Sequence, residues 1–475
     1  MSEMILGPFN RVEGDLEIRL EVAEGQVRAA YANSPLFRGF ERMLLGKDPR
    51  DALTITPRIC GICSISQSAA AALALAAASG RAMAPEGAKV AALLHAVENV
   101  ADHLTHFNLF FMPDFTRPAY ATRAWHPRVV ERFTTGSGSA QRAAVAARAA
   151  LLHIVGLLGG KWPHTLAIQP GGVTRAPGLR DLVRIGASLR AFRRYLEQTL
   201  FGAPVEAFAA LETPDWSTGD AGLFLEIAQD LDLAALGRGG GRYMSFGAYP
   251  LADGPMLPRG LWQNGAAGPV PLDAIAEDIS HAWMIGETAH PAQGQTVADT
   301  AMRDSAYSWC KAPRLEGRPV EVGALARQVI DGHPLALAEA QQGGGVRARV
   351  LGRLLEIART QVLLEELVAS IRHEARFMDN APLPREGAGA GLVEAARGAL
   401  GHWVRIEKGR IAQYQIIAPT TWNFGPRDSE GAPGPVEAAL QGAPVTEQEA
   451  AAGDTPLAVQ HVVRSFDPCM VCTVH

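Results

Sequence analysis

The sequence predicts an α+β fold, mainly α-helical, with a central helical bundle and small β hairpins near the termini, in a single domain over residues 1–475. Three observations carry that expectation. Beyond Arg50, apolar residues recur at three- and four-residue spacing through long segments. Short strand-like runs flank turn residues near each end of the chain. Two C-x-x-C pairs, Cys60/Cys63 and Cys469/Cys472, lie near opposite ends and make most chemical sense as one buried group.

The elements follow in order. Leu16–Val22 and Gln26–Ala32 flank the turn-like Ala23-Glu24-Gly25 and form a hairpin. Ser64–Ser79 is an Ala/Leu-rich helix that starts directly at the first cysteine pair and stops at Gly80. Glu86–Phe111 is a longer helix, closed by Pro113. Further helices are expected over Ala140–Leu158, Gly178–Thr199, Leu272–Ala289, Val320–Asp331 and Val346–Arg376. The Gly/Pro-rich passages Gly237–Gly268 and Gly425–Gly442 lack periodicity and read as loops. Trp403–Glu407 and Ile411–Ile417, around Lys408-Gly409-Arg410, form the second hairpin.

Composition narrows the class. With 475 residues, 48% of them hydrophobic and 20% charged, the chain can bury a large core and is not a disordered protein. A net charge of −5 without a basic stretch argues against a nucleic-acid partner. The start, MSEMILGPFNRVEGD, lacks the basic and apolar regions of a signal peptide. The longest apolar run, Ala69 to Ala78, is about half the ~20 residues of a bilayer span. No direct membrane insertion and a cytoplasmic location are therefore expected, with export on a partner's signal left open. Five cysteines, odd in number and sparse, exclude a disulfide-built scaffold.

Each C-x-x-C can direct two sulfurs at one metal, so the two pairs together supply a tetrahedral thiolate set. A structural zinc site is one reading, and a dithiol redox pair another. Zinc ribbons bring their pairs close together to staple a small module, whereas residues 64–468 intervene here. Nickel, copper and iron also suit soft thiolates. Elsewhere, His95, Glu98, Asp102 and His106 share one face of the helix Glu86–Phe111, a pattern that suits either a carboxylate–histidine metal site or a hydrogen-bonding shell. Cys310 has no thiol partner nearby and reads as a small buried hydrophobe.

The flanks of the cysteines are more specific. Pro57-Arg58-Ile59-Cys60-Gly61-Ile62-Cys63 and Asp467-Pro468-Cys469-Met470-Val471-Cys472-Thr473-Val474-His475 strongly resemble the R-x-C-G-x-C and D-P-C-x-x-C-x-x-H signatures of the nickel–iron hydrogenase large subunit. The likeness runs from residue 10 to residue 475 and implies that family's fold. It implies a Ni-Fe(CN)2(CO) centre with Cys60, Cys63, Cys469 and Cys472 on nickel, and with Cys63 and Cys472 bridging to iron. Glu13, in Asn10-Arg11-Val12-Glu13-Gly14, matches the glutamate that relays protons from the terminal Cys469; without the resemblance it would be a solvated charge at a hairpin edge. Glu41, the carbonyl of Ile416 and His475 match the ligands of a Mg2+ ion. Arg397 matches an arginine over the open metal position, and Asp114 and Asp467 the carboxylates that orient it. Thr420 matches a hydroxyl donor to a cyanide ligand, beside Ala418 and Pro419. Ala396 stands where the family commonly has proline.

Gln67 departs from the family's usual histidine. Glutamine keeps a hydrogen-bond donor but cannot carry a proton. The exchange resembles the regulatory, hydrogen-sensing branch, whose members turn over slowly and signal through a histidine kinase. The chain also ends at His475, with no extension for a maturation protease to remove. Cys310 alone cannot hold an iron–sulfur cluster, which normally takes four thiolates. Electrons from H2 must therefore leave through iron–sulfur clusters on a small subunit, in a heterodimer or a dimer of heterodimers. The expected activity is heterolytic cleavage of H2 at low turnover, serving as a hydrogen sensor. An energy-linked uptake hydrogenase and a non-catalytic subunit with four-thiolate zinc are the alternatives.

Overall fold

The computed structural model describes residues 2–475. Three strands open the chain: β1 (Ser2–Leu6), β2 (Glu17–Ala23) and β3 (Gln26–Asn33) form an antiparallel sheet in that order. Ile18, Leu20 and Val22 face the core from β2 while Arg19 and Glu21 alternate outward. Glu24 and Gly25 make the turn with φ of 54° and 69°.

The helical body contains α1 (Ser64–Ala78), α2 (Pro85–Thr105), α3 (Ser139–Gly159), α4 (Leu179–Tyr195), the long α5 (Val346–Ala369) and α6 (Leu457–Phe466). α2 packs between α3 and α5, which explains its burial on nearly every side. The last turns of α2 and α4 widen into π-helical segments, His106–Phe111 and Leu196–Leu200. Among the described residues, α3 is the one helix long and apolar enough to cross a membrane by length and composition, with mean hydropathy 1.4. It carries Arg142 and Arg148 and lies against α2 and α4.

Several expected boundaries shift. Leu272–Ala289 is not a helix: a single 3-10 turn at Leu272–Ala274 leads into a strand, Ile275–Asp278, paired antiparallel with Ala312–Leu315. That pairing places Glu277 beside Lys311, and this tertiary ion pair prevails over an apolar spacing that suited either element. Gly237–Gly268 is not a loop either, because β4 (Tyr243–Leu251) and β5 (Gly254–Gln263) form a hairpin within it. Gly247, at φ 87°, lies in this hairpin where a Cβ would come 2.9 Å from the Pro255 side chain. Gly425–Gly442 contains a short helix, Pro435–Leu440. The helix expected to reach Arg376 ends at Ala369, and that expected from Val320 begins at Ala324 after Gly323.

The second hairpin forms as β7 (Gly398–Glu407) and β8 (Arg410–Ile417), and it gains a third strand, β6 (Gly387–Ala395). This sheet is the floor beneath α1. Gly387, Gly389 and Gly391 alternate along β6 on the face toward the helix. A Cβ on Gly391 would lie 1.9 Å from the Ala70 carbonyl oxygen, and one on Gly389 would lie 2.3 Å from the Ala78 nitrogen. The Ala-rich face of α1 and the glycine face of β6 therefore meet backbone to backbone. The four cysteines of the terminal pairs belong to the largest buried apolar cluster of the described residues. Gly391→Ala should destabilise the protein by about 3 kcal/mol, because backbone cannot rotate out of the way. Urea unfolding would show this as a lower midpoint at an unchanged slope.

Candidate metal centre

Cys60 follows a 3-10 turn at Thr56–Arg58, and Cys63 is the residue from which α1 starts. At the other end α6 stops at Asp467 in a left-handed conformation, φ 58°, and turns the chain through Pro468 to Cys469. Cys472 sits in the helical turn Met470–Thr473. The two loops face each other: Cys60 Sγ is 3.5 Å from Cys469 Sγ, Cys63 Sγ 3.3 Å from Cys472 Sγ, and Cys469 Sγ 3.1 Å from Cys472 Sγ. All four thiols are free and buried. This soft, all-sulfur donor set fits a nickel and iron centre, since no hard oxygen donor is part of the cluster.

Backbone contacts lock the chain ends together. The Glu13 N–H donates to Pro468 O at 3.4 Å and the Met470 N–H to Glu13 O at 2.7 Å. Gly14, at φ 82°, lies so close that a Cβ would sit 2.9 Å from the Val471 side chain. Arg38 is a residue that sequence reasoning passed over. Its guanidinium donates to Ile59 O, 2.5 Å, and to Val471 O, 3.1 Å, so it staples one cysteine loop to the other. Its place three residues before Glu41 was the available signal.

Arg397 is buried and bound on two sides. Its Nε and Nη2 donate to Asp467 O and Oδ1, at 2.8 and 3.0 Å, and its Nη1 donates to Asp102 Oδ2 at 2.5 Å. Asp467 therefore contacts Arg397, and Asp114 does not. Asp114 instead pairs with Arg11 and with Arg464 Nε, the latter at 2.5 Å. The carboxylate that orients Arg397 is Asp102, from α2. Burial pushes Asp102 up to about 7, against the pull of Arg397. For Asp467 burial also raises the value, but Arg397 and other cations bring it net below the ordinary range.

Thr420 accepts from the Cys469 N–H at 3.1 Å, in the helix Pro419–Phe424 that Ala418 leads into and Pro419 starts. Gln67, fully buried in the first turns of α1, accepts at Oε1 from His402 Nε2, 2.8 Å, while its own Nε2 has no protein partner. Burial lowers His402 to about 3, so the ring is neutral; with the Gln67 oxygen as acceptor the proton sits on Nε2, and Nδ1 accepts from the Tyr414 hydroxyl at 2.8 Å. Glu13 is partly buried; burial and the charge of Cys60 raise its pKa.

Beside the sulfurs, Glu41, Ile416 and His475 converge. His475 Nε2 lies 2.7 Å from Ile416 O and 3.4 Å from Glu41 Oε1, and its Nδ1 is 2.6 Å from Cys472 O. Burial tends to raise the pKa of Glu41, but Lys311 and His475 hold it down at about 2. A cavity of about 20 Å³, lined in part by Glu41, Glu277, Thr296, Lys311 and His475, has room for one ion or water.

The polar face of α2 is not one metal site, because its groups go to separate partners. His95 meets Ser66 Oγ at 3.0 Å, His103 meets Glu356 at 3.0 Å, and His106 meets Arg464 O at 2.7 Å. Glu98 turns to the start of α1, and Asp102 to Arg397. Burial lowers both His95 and His106 to about 3, so each is neutral in the fold and gains a proton on unfolding below its ordinary value of 6.5. Their stabilisation is complete above pH 6.5 and is lost as pH falls toward about 3, at about 1.4 kcal/mol per pH unit for each. Unfolding measured from about pH 7 down to about pH 5 should show this loss, and His95→Asn should make the slope shallower.

Comparison with known proteins agrees with this geometry. A family model described as nickel-dependent hydrogenase matches residues 38–132 and 142–475. The chain is 27% identical to the periplasmic [NiFeSe] hydrogenase large subunit of Desulfomicrobium baculatum, covering 99% of this chain and 94% of that one. It is 26% identical to the hydrogenase-2 large chain of Escherichia coli K12 (100% and 97% covered), and 28% identical to the uptake hydrogenase large subunit of Afipia carboxidovorans (99% and 94%). The crystal structure of the reduced, active Ni-Fe-Se hydrogenase from Desulfomicrobium baculatum superimposes with a TM-score of 0.88, at 27% identity and with both chains fully covered. With its terminal cysteine pairs in contact and its fold shared end to end, the chain belongs to the nickel-dependent hydrogenase family, as a large subunit and an H2 oxidoreductase.

Proposed function

We propose that this subunit cleaves H2 heterolytically as a hydrogen sensor that controls hydrogenase gene expression through a histidine kinase, working as a heterodimer with an iron–sulfur small subunit. The contact of all four terminal thiols carries the catalytic part of this reading. Cys60, Cys63, Cys469 and Cys472 would hold nickel, with Cys63 and Cys472 shared with an iron that carries CO and cyanide. Glu41, Ile416 O and His475 would hold Mg2+, a hard ion suited to a carboxylate, a carbonyl and retained water. When bound, the nickel–iron centre supplies an electrophilic open position at which H2 is polarised.

The chain's own groups handle charge and protons. Arg397, held by Asp102 and Asp467, keeps a positive charge fixed in a water-poor site and needs no reorganisation during reaction. Cys469 Sγ is the first proton acceptor. The Glu13 carboxylate, anchored through its backbone to Pro468 and Met470 and given a raised proton affinity by burial, takes the proton onward. Electrons leave to the small subunit, since Cys310 is a lone thiol whose sulfur contacts Lys311 O at 3.0 Å.

The sensing role rests on Gln67, which can donate a hydrogen bond but cannot titrate. One of the relatives named above is called an uptake hydrogenase large subunit, and that name supports the energy-linked reading instead. Spectroscopic, kinetic and genetic measurements test these readings. Infrared spectra of the purified heterodimer should show CO and cyanide bands with nickel and iron present; zinc alone would replace this reading with a structural subunit. Glu13→Gln should keep those bands and cut turnover by roughly 10²–10⁴-fold. Deleting the gene should alter expression of other hydrogenases; loss of growth on H2 with that expression unchanged would assign an uptake role.

A further inference from the structure

Cys63 occupies the N-cap of α1, where a side chain ordinarily accepts from the backbone N–H groups two and three residues on. Those groups belong to Ile65 and Ser66, and Glu98 takes both. The Ile65 N–H lies 2.9 and 3.0 Å from its two oxygens, and the Ser66 N–H 3.0 Å from Oε2. Ser64 Oγ and Ser66 Oγ add donors at 3.2 Å each, and Trp162 Nε1 adds one at 2.9 Å. Glu98 is 2% exposed, and the Arg148 guanidinium stands 4.9 Å from the centre of the Trp162 ring. Cys63 Sγ makes no capping hydrogen bond, and its neighbour is Cys472 Sγ at 3.3 Å.

We propose that Glu98 is a positioning residue for the Cys63 thiolate: it caps α1 from α2 and so keeps Cys63 Sγ turned to, and electron-rich toward, the metal centre. A thiolate at a helix N-terminus is stabilised by the partial positive charge there and by free N–H donors, and both effects weaken it as a metal ligand. A carboxylate that takes the two relevant donors and places a negative charge at the helix end opposes both. The Ile65, Ser66 and Trp162 N–H groups can only donate, so three fixed donors converge on Glu98 and favour its ionised form against burial, which raises its pKa to about 7. The inference rests on the proposed role of Cys63 as a bridging ligand.

The test is infrared spectroscopy and metal analysis on the heterodimer carrying Glu98→Gln or Trp162→Phe, with wild type alongside. Glu98→Gln should move the CO and cyanide bands to higher wavenumber or double them. Trp162→Phe leaves both backbone donors in place and should leave the bands where they are. A Glu98→Gln protein that melts like wild type but holds several-fold less nickel also supports the inference, since the defect then lies in the thiolate. Unmoved bands in a metal-loaded Glu98→Gln protein overturn it. So do equal shifts in both variants, or joint loss of fold and metal, because Glu98 would then be an anchor of the fold alone. Absence of bands from the wild type would overturn the underlying ligand assignment instead, and this inference with it.

Discussion

The structure depends on one long-range contact: two cysteine loops 409 residues apart are held sulfur to sulfur. No disulfide makes the connection, so the surrounding backbone must. The Glu13 strand edge grips residues 468–470, Arg38 holds carbonyls on both loops, and His475 reaches the Ile416 carbonyl. Each link is a modest hydrogen bond, and apart from the exposed Arg38–Val471 bond they are buried or partly buried. Breaking a buried one leaves donors without water to replace the lost partner. The glycine–alanine contact between β6 and α1 serves the same end, because it fixes the helix that begins at Cys63 against a sheet.

Around this contact the interior is highly charged, which is costly unless every charge is paired. Arg397 has Asp102 and Asp467; Arg327 has Glu356 and Glu394; Arg464 has Asp114. The pairs lie along α2, α5, α6, β6 and the turns after β6 and α6, so the elements packed around the cysteine loops are joined by ion pairs as well as by apolar packing. Removing one partner would strand a buried charge at a cost of about 3–5 kcal/mol. Such a framework holds the positive end of Arg397 in one place, which a fixed electrostatic environment requires.

The metal centre was legible in the sequence because its chemistry is written locally, in residue pairs and their flanks. So were α1, α2, α3 and the two terminal hairpins, whose periodicity is long enough to be distinctive. Partner choice was not. Asp102 and Asp114 are both aspartates near the end of one helical segment, and only the approach of Arg397 tells them apart. Glu98 shares a face with Asp102 yet serves a different helix end, a fact set by how α1 and α2 cross. β6 was missed because alternating glycine has low strand propensity; its signal was the alternation itself, which packing against α1 explains.

The separation of the cysteine loops also has a consequence in time. At about 5–20 residues per second, the ribosome makes the second pair roughly 20–80 s after the first. Throughout that interval Cys60 and Cys63 have no sulfur partners from the far end of the chain, and their loop lacks the Arg38 contact to Val471. The newborn polypeptide therefore passes through a period in which half of its future metal site exists as an open, oxidisable dithiol. Its successful production depends on a reducing environment during synthesis as much as on the stability of the finished molecule.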